Sequence, residues 1–133
     1  MDEPKFQQIQ YECETWRRAV NFMMEESVIM KNRLSEVLKT HFNKNLLEGI
    51  EFLQNKLIRN DERIGIFRDD LTRLNGPGSA RLSEQDEKLF ETRIRLLHND
   101  LLLMEKQFAK LKSEFNHYLL DNMQRSGTPQ KDP

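Results

Sequence analysis

Apolar side chains recur along most of this chain at alternating steps of four and three residues. Such spacing places every member on one face of an α-helix, and it is the heptad pattern of helices that pack as coiled coils. The first stripe predicts a long amphipathic helix over residues 5–41. Its members are Ile9, Cys13, Trp16, Val20, Met23, Ser27, Met30, Leu34, Val37 and His41.

Two further stripes follow the same rule and predict helices at about residues 44–75 and 83–122. We call the three sets the core stripes. The second consists of Leu46, Ile50, Leu53, Leu57, Asn60, Ile64, Phe67, Leu71 and Leu74. The third consists of Phe90, Ile94, Leu97, Leu101, Met104, Phe108, Leu111, Phe115 and Tyr118.

The two breaks between the stripes differ in strength. Residues 75–79 read Asn-Gly-Pro-Gly-Ser, in which glycine and proline end a helix, and Ser83 is a typical N-cap for the next one. The break near residues 38–46 has neither glycine nor proline. Because the apolar stripe shifts phase by two residues there, we expect a hairpin with Asn43 as the next N-cap. The alternative is one continuous helix through residue 75.

The predicted fold is all-α: an elongated, antiparallel three-helix coiled-coil bundle. Similar helix lengths and short connections favour an up-down-up order. A chain of 133 residues is long enough for one domain with its own core. We assign residues 1–122 to this domain and expect the aperiodic residues 123–133 to form a disordered tail.

A second apolar pattern lies off the core stripes. In the third helix Leu82, Leu89, Leu96 and Leu103 recur every seven residues on the face roughly opposite the core, and we call them the leucine row. The other two helices carry apolar residues in similar places, and we expect all of them to form one broad band nearer the Gly76 turn. The residues predicted to form an interface are Phe22, Ile29, Phe52, Ile58, Ile66, Leu89, Leu96 and Leu103.

Leaving such side chains in water forfeits roughly 1.5–3 kcal/mol of burial for each large apolar residue. A heptad-spaced row therefore predicts a protein–protein surface, most simply for homodimerisation into a larger bundle or for binding another helical protein. The alternative is a core wider than one stripe, which would absorb the row within a single copy. Asn60 in the second core stripe also has two interpretations. A buried asparagine can fix the register of the packed helices, whereas a partly exposed one binds water.

Charge excludes some partners. The three predicted helices contain six basic residues each, against five, six and eight acidic residues in turn. No segment is basic enough to predict binding to nucleic acid or to an anionic membrane. The amino-terminal residues do not resemble a signal peptide, and a single cysteine forms no internal disulfide. We therefore expect a cytoplasmic protein.

No motif predicts catalysis, a metal or a cofactor, so we expect a non-enzymatic interaction or scaffold module. Glu114 and His117 have the spacing of half a di-iron site, which needs a second such pair. His41 and Lys44 are similar to part of a histidine phosphotransfer motif, but Asn45 stands where that motif has glycine. The alternative function is a bundle that binds a small ligand or metal, or a phosphotransfer domain. Cys13 lies in the core stripe, which favours inert packing even though Arg17 could lower its pKa.

Overall fold

The computed structural model describes residues 2–41, 43–74 and 83–127, with side chains as far as residue 123. Three helices pack against one another: α1 (Glu3–Thr40), α2 (Lys44–Leu74) and α3 (Glu84–Gly127). Within these residues there is no strand. The fold is the all-α three-helix bundle that the heptad pattern predicts.

Side-chain caps begin each helix. The Asp2 carboxylate accepts a hydrogen bond from the Lys5 amide at 2.8 Å, and the Asn43 side chain accepts one from the Leu46 amide at 2.7 Å. The Ser83 hydroxyl accepts from the Asp86 amide at 3.2 Å. Because α1 ends before Asn43 and α2 begins after it, the hairpin prediction is confirmed over the continuous helix.

The predicted end of α3 at residue 122 was wrong, since the helix runs on to Gly127. Met123 explains the extra turn: it packs against the core, and its sulfur lies 3.7 Å from the Arg33 guanidinium of α1. A methionine outside the strict heptad step was not recognised as a core residue. Residues 75–82, with the predicted turn and Leu82, and residues 128–133 of the predicted tail lie outside the described part of the chain.

The core is built from the three core stripes. Every stripe member from Ile9 to Val37 in α1, and every member in α2, is buried. In α3 the stripe departs from the prediction at Ile94 and Tyr118, which are half-buried, while Leu119 is buried instead.

Tyr118 owes its half-buried position to a glycine on α2. Its hydroxyl donates a hydrogen bond to the Leu46 carbonyl at 3.1 Å, and the ring lies over Gly49. A Cβ atom at residue 49 would collide with that hydroxyl and ring. The glycine therefore lets α2 and α3 approach closely at this end of the bundle.

Polar contacts between side chains show how the helices run relative to one another. Between α1 and α2, Asn21 meets Arg68 whereas Lys31 meets Asp61, so residue numbers fall along α2 as they rise along α1. Hence these two helices are antiparallel.

The remaining pairs complete the order. Lys56 pairs with Glu114 and Arg63 with Asp100, which makes α2 and α3 antiparallel. Between α1 and α3, Lys5 pairs with Glu91 and Glu26 with Lys112, which makes them parallel. The bundle is up-down-up. Each such pair contributes at most about 1 kcal/mol, but together they identify the edges along which the helices meet.

Candidate interaction surface

The eight residues predicted to form an interface all lie on the outside of the bundle. Their side chains are between 48% and 66% exposed. The alternative prediction, a wider core that would bury these residues within a single copy, is therefore wrong. Large apolar side chains with this exposure are the main feature that the fold leaves without a packing partner.

Part of the leucine row follows the groove between α2 and α3. Asp100 faces α2, because it pairs with Arg63 at 3.2 Å. Leu96 and Leu103 lie one helical turn before and after Asp100, on the outer edge of the same groove. From the other side Ile66 lies one turn after Arg63. Three exposed apolar side chains thus surround a charged pair.

Next to these residues the groove widens into an open cleft of about 530 Å³. Leu96, Arg93 and Asp100 of α3 line one wall of the cleft, while Asp70 and Arg73 of α2 line the other. Leucine and charged groups of both signs are therefore presented together, as at the polar rim of a protein interface.

Two more predicted residues belong to the same groove. Leu89 lies one turn before the cleft residue Arg93. Phe52 lies one turn before Lys56, whose ammonium group is 4.6 Å from the centre of the Phe52 ring. This cation–π contact holds the exposed ring against α2. Five of the eight predicted residues thus border the α2–α3 groove.

The other three lie elsewhere, so the expectation of a single band was wrong. Phe22 and Ile29 flank Glu26, which faces α3 through Lys112, and so they border the α1–α3 groove. Ile58 lies one turn before Asp61, which faces α1. The reason is geometric: outward positions on three packed helices point in different directions, and Ile58 occupies a different heptad position of α2 from Phe52 and Ile66.

Several exposed apolar residues were not among the eight. Leu102 is 52% exposed beside Leu103 and lies one turn after His98, whose ring stacks on Trp16 of α1 at 5.2 Å. It therefore borders the α1–α3 groove. Leu102 breaks the seven-residue repeat, which is why its apolar character alone did not single it out. The others are Tyr11, Val28 and Leu120.

Two polar side chains are buried in the core stripes. Ser27 is fully buried and Asn60 nearly so. The Ser27 hydroxyl and the Asn60 amide nitrogen make no hydrogen bond with any described residue, nor does one buried oxygen of Asp61. Buried polar atoms without partners cost stability, so this level of the core is its least favourable part.

The histidines do not converge on a chemical centre. The Glu114 carboxylate forms an ion pair with Lys56 at 3.0 Å. The exposed His117 ring donates a hydrogen bond to the Ser113 carbonyl, one turn earlier on the same helix, at 2.9 Å. His41 is the C-cap of α1, as its position near a helix end predicts. Among the described residues, no group of three or more His, Cys, Asp or Glu side chains is arranged to hold a metal ion.

Cys13 is fully buried in the core. The pKa of its thiol is raised to about 11, mainly by burial and to a lesser extent by the nearby Glu12, and these two effects outweigh the opposing effect of Arg17. The reactive thiolate is therefore disfavoured in the folded protein, as expected of a packing residue.

None of the described helices combines the length and the apolar character needed to cross a bilayer. Comparisons with protein families, with characterised proteins and with solved structures find no match to this chain. The case for a function therefore depends on the geometry of the bundle alone.

Proposed function

We propose that this protein is a non-enzymatic interaction module that self-associates through its exposed apolar residues into a larger helical bundle. The observation that carries the proposal is the exposure of all eight predicted interface residues in a chain whose core is already filled. Self-association would remove them from water, which favours the assembled state by the hydrophobic effect.

The α2–α3 groove is the centre of the proposed surface, because five of the eight residues border it. The heptad spacing of the core supports packing of the three helices as a coiled coil. A cytoplasmic location, expected for a chain whose single cysteine forms no internal disulfide, is also part of the proposal. Neither nucleic acid nor membrane is a proposed partner.

The test is the mass in solution, measured by light scattering after size exclusion at several protein concentrations. For a chain of 15.9 kDa we expect a dimer whose population rises with concentration. Replacing Leu96 and Leu103 together by glutamate should convert the dimer to a monomer, because four charges would enter the apolar interface. The helical signal in circular dichroism should be retained.

Leu120→Glu is the matched control. Leu120 is an exposed leucine of the same helix, 61% exposed, but it lies more than two heptads beyond the cleft. We expect this variant to remain dimeric. A wild-type protein that is monomeric at every concentration would overturn self-association. Loss of helicity in the double variant would instead place the two leucines in the chain's own core.

A further inference from the structure

A second open cleft, of about 390 Å³, lies in the α2–α3 groove between the cleft beside Leu96 and the Tyr118 contact. We call it the basic cleft, because four of its side chains are cationic and one is a carboxylate. The residues that line it are Lys56, Arg59, Asn60, Arg63, Gln107, Lys110, Leu111 and Glu114. We propose that the basic cleft binds the phosphate group of a small anionic molecule.

Two of the four cations are already paired with carboxylates of α3. Lys56 forms an ion pair with Glu114 at 3.0 Å. Arg63 forms one with Asp100 at 3.2 Å and also donates a hydrogen bond to the Gln107 side chain. The one carboxylate that lines the cleft is therefore balanced by Lys56, and a bound anion would meet no unbalanced negative charge there.

Arg59 and Lys110 are the two cations that remain. Both are exposed, and neither makes a hydrogen bond or ion pair with any residue in the described part of the chain. Arg59 lies between Lys56 and Arg63 on α2, and Lys110 lies between their partners on α3, so the two are level across the groove. The cleft thus keeps two positive charges without counterions, although the whole chain has a net charge of −1.

Two cations at the same level repel each other, and an anion placed between them replaces that repulsion by attraction. A phosphate group carries a charge of roughly −1.5 to −2 at pH 7, which is close to the charge needed to balance both. Its oxygens also match the donors present, since an arginine guanidinium binds two of them at once and a lysine ammonium binds as a point charge. The charge of the cleft therefore favours phosphate over a monovalent anion.

The floor of the cleft adds an independent observation. Asn60 lines the cleft but is only 8% exposed, and its amide nitrogen has no hydrogen-bond acceptor among the described residues. Because the nitrogen and oxygen of the amide have nearly the same shape, a half-turn of the side chain can present the nitrogen to the cleft. A phosphate oxygen would then be the acceptor that the described part of the chain does not supply.

Titration of the full chain with inorganic phosphate and with pyrophosphate tests the site. Amide signals are followed by NMR at constant ionic strength, with chloride as the compensating anion. We expect saturable shifts centred on residues 56–63 and 107–114, with tighter binding of pyrophosphate because it carries more charge. Shifts that grow without saturation, or that chloride alone reproduces, would overturn the proposal.

Single substitutions identify the cations that bind. Arg59→Ala and Lys110→Ala should each weaken phosphate binding about tenfold or more, because each removes one of the two unpaired charges. Arg95→Ala is the matched control, since Arg95 is also exposed and without an ion pair among the described residues, but lies about four turns from Lys110 on α3. It should leave the affinity unchanged. Equal weakening in all three variants would reveal a general attraction of anions to the surface and would contradict a defined site.

Asn60→Leu separates binding from folding. An apolar side chain in place of a buried amide without a partner should raise the Tm, whereas loss of the amide donor should weaken phosphate binding about three- to tenfold. Opposite effects on stability and on affinity would not arise if Asn60 had a structural role alone. An affinity equal to that of wild type would overturn the part assigned to the buried amide.

The site and the proposed self-association can fail separately, because every residue of the basic cleft belongs to one copy. A monomeric protein with saturable binding that depends on Arg59 and Lys110 supports the site, even though self-association is then wrong. A dimer that does not bind phosphate overturns the site and leaves self-association standing. A short phosphoserine peptide that binds more tightly than pyrophosphate would overturn the assignment to a small molecule, since a phosphorylated protein would then be the source of the phosphate group.

Discussion

Leu103 and Met104 are neighbours on α3 and belong to two apolar rows with the same seven-residue repeat. Met104 is fully buried between the helices, whereas Leu103 is about half exposed. Leu96 and Leu97 show the same contrast. The core stripes of α1 and α2 include the polar residues Ser27 and Asn60. Every member of the leucine row on α3, by contrast, is leucine. Periodicity therefore identifies a face that avoids water, but not the partner that covers it.

The largest expected effect distinguishes the two rows directly. Leu101→Ala should lower the free energy of unfolding by about 2–5 kcal/mol, because Leu101 is buried and its truncation leaves a cavity. Leu103→Ala should change it by no more than about 0.5 kcal/mol, since the side chain has little to lose in a single copy. Urea unfolding followed by circular dichroism, at a concentration where the protein is monomeric, measures both. Equal losses would show that Leu103 packs within its own chain.

The second expected effect depends on the titration of Cys13, a member of the first core stripe. Burial raises the pKa of the Cys13 thiol from its ordinary 9.0 to about 11 in the folded protein. In the unfolded chain the thiol ionises at a lower pH than in the folded protein. The stability that the protonated thiol contributes is therefore complete below pH 9 and is lost as the pH rises towards 11. The loss should reach roughly 2–3 kcal/mol.

Other groups titrate in that range, so the relevant measurement is the difference between wild type and Cys13→Ala. Both free energies of unfolding should be determined from pH 7 to pH 11. As the thiol ionises, the value for wild type should fall relative to the value for Cys13→Ala. A constant difference would mean that Cys13 reaches water in the folded state.

The smallest effect compares two glycines of α2. Gly65→Ala should stabilise the protein by about 0.5–1 kcal/mol, because nothing lies within 4 Å of the new Cβ and alanine is the better helix former. Gly49→Ala should destabilise it by about 1 kcal/mol, since Tyr118 must move and lose its hydrogen bond to Leu46. Thermal unfolding of the pair gives the sign of each change. A stabilising Gly49→Ala would show that Tyr118 moves aside at no cost.

Much of the fold could be predicted from the sequence because local rules and packing agree. The steps of three and four residues select the buried face of each helix, and Asn43 and Ser83 mark helix starts by their ability to accept backbone hydrogen bonds. Where packing departs from strict periodicity, prediction failed. Met123 joins the core one residue past the expected end of α3, and Leu119 is buried where Tyr118 was expected.

The sequence by itself determined three amphipathic helices, their hairpin order and the presence of apolar residues in excess of one core. These properties follow from spacing and capping, which act within a few residues of the chain. Only the tertiary structure decided which grooves those residues border, because that depends on how three separate helices turn their edges towards one another. It placed Leu96, Arg93 and Asp100 around one cleft and Phe22 of α1 beside another groove, since outward directions on three packed helices diverge.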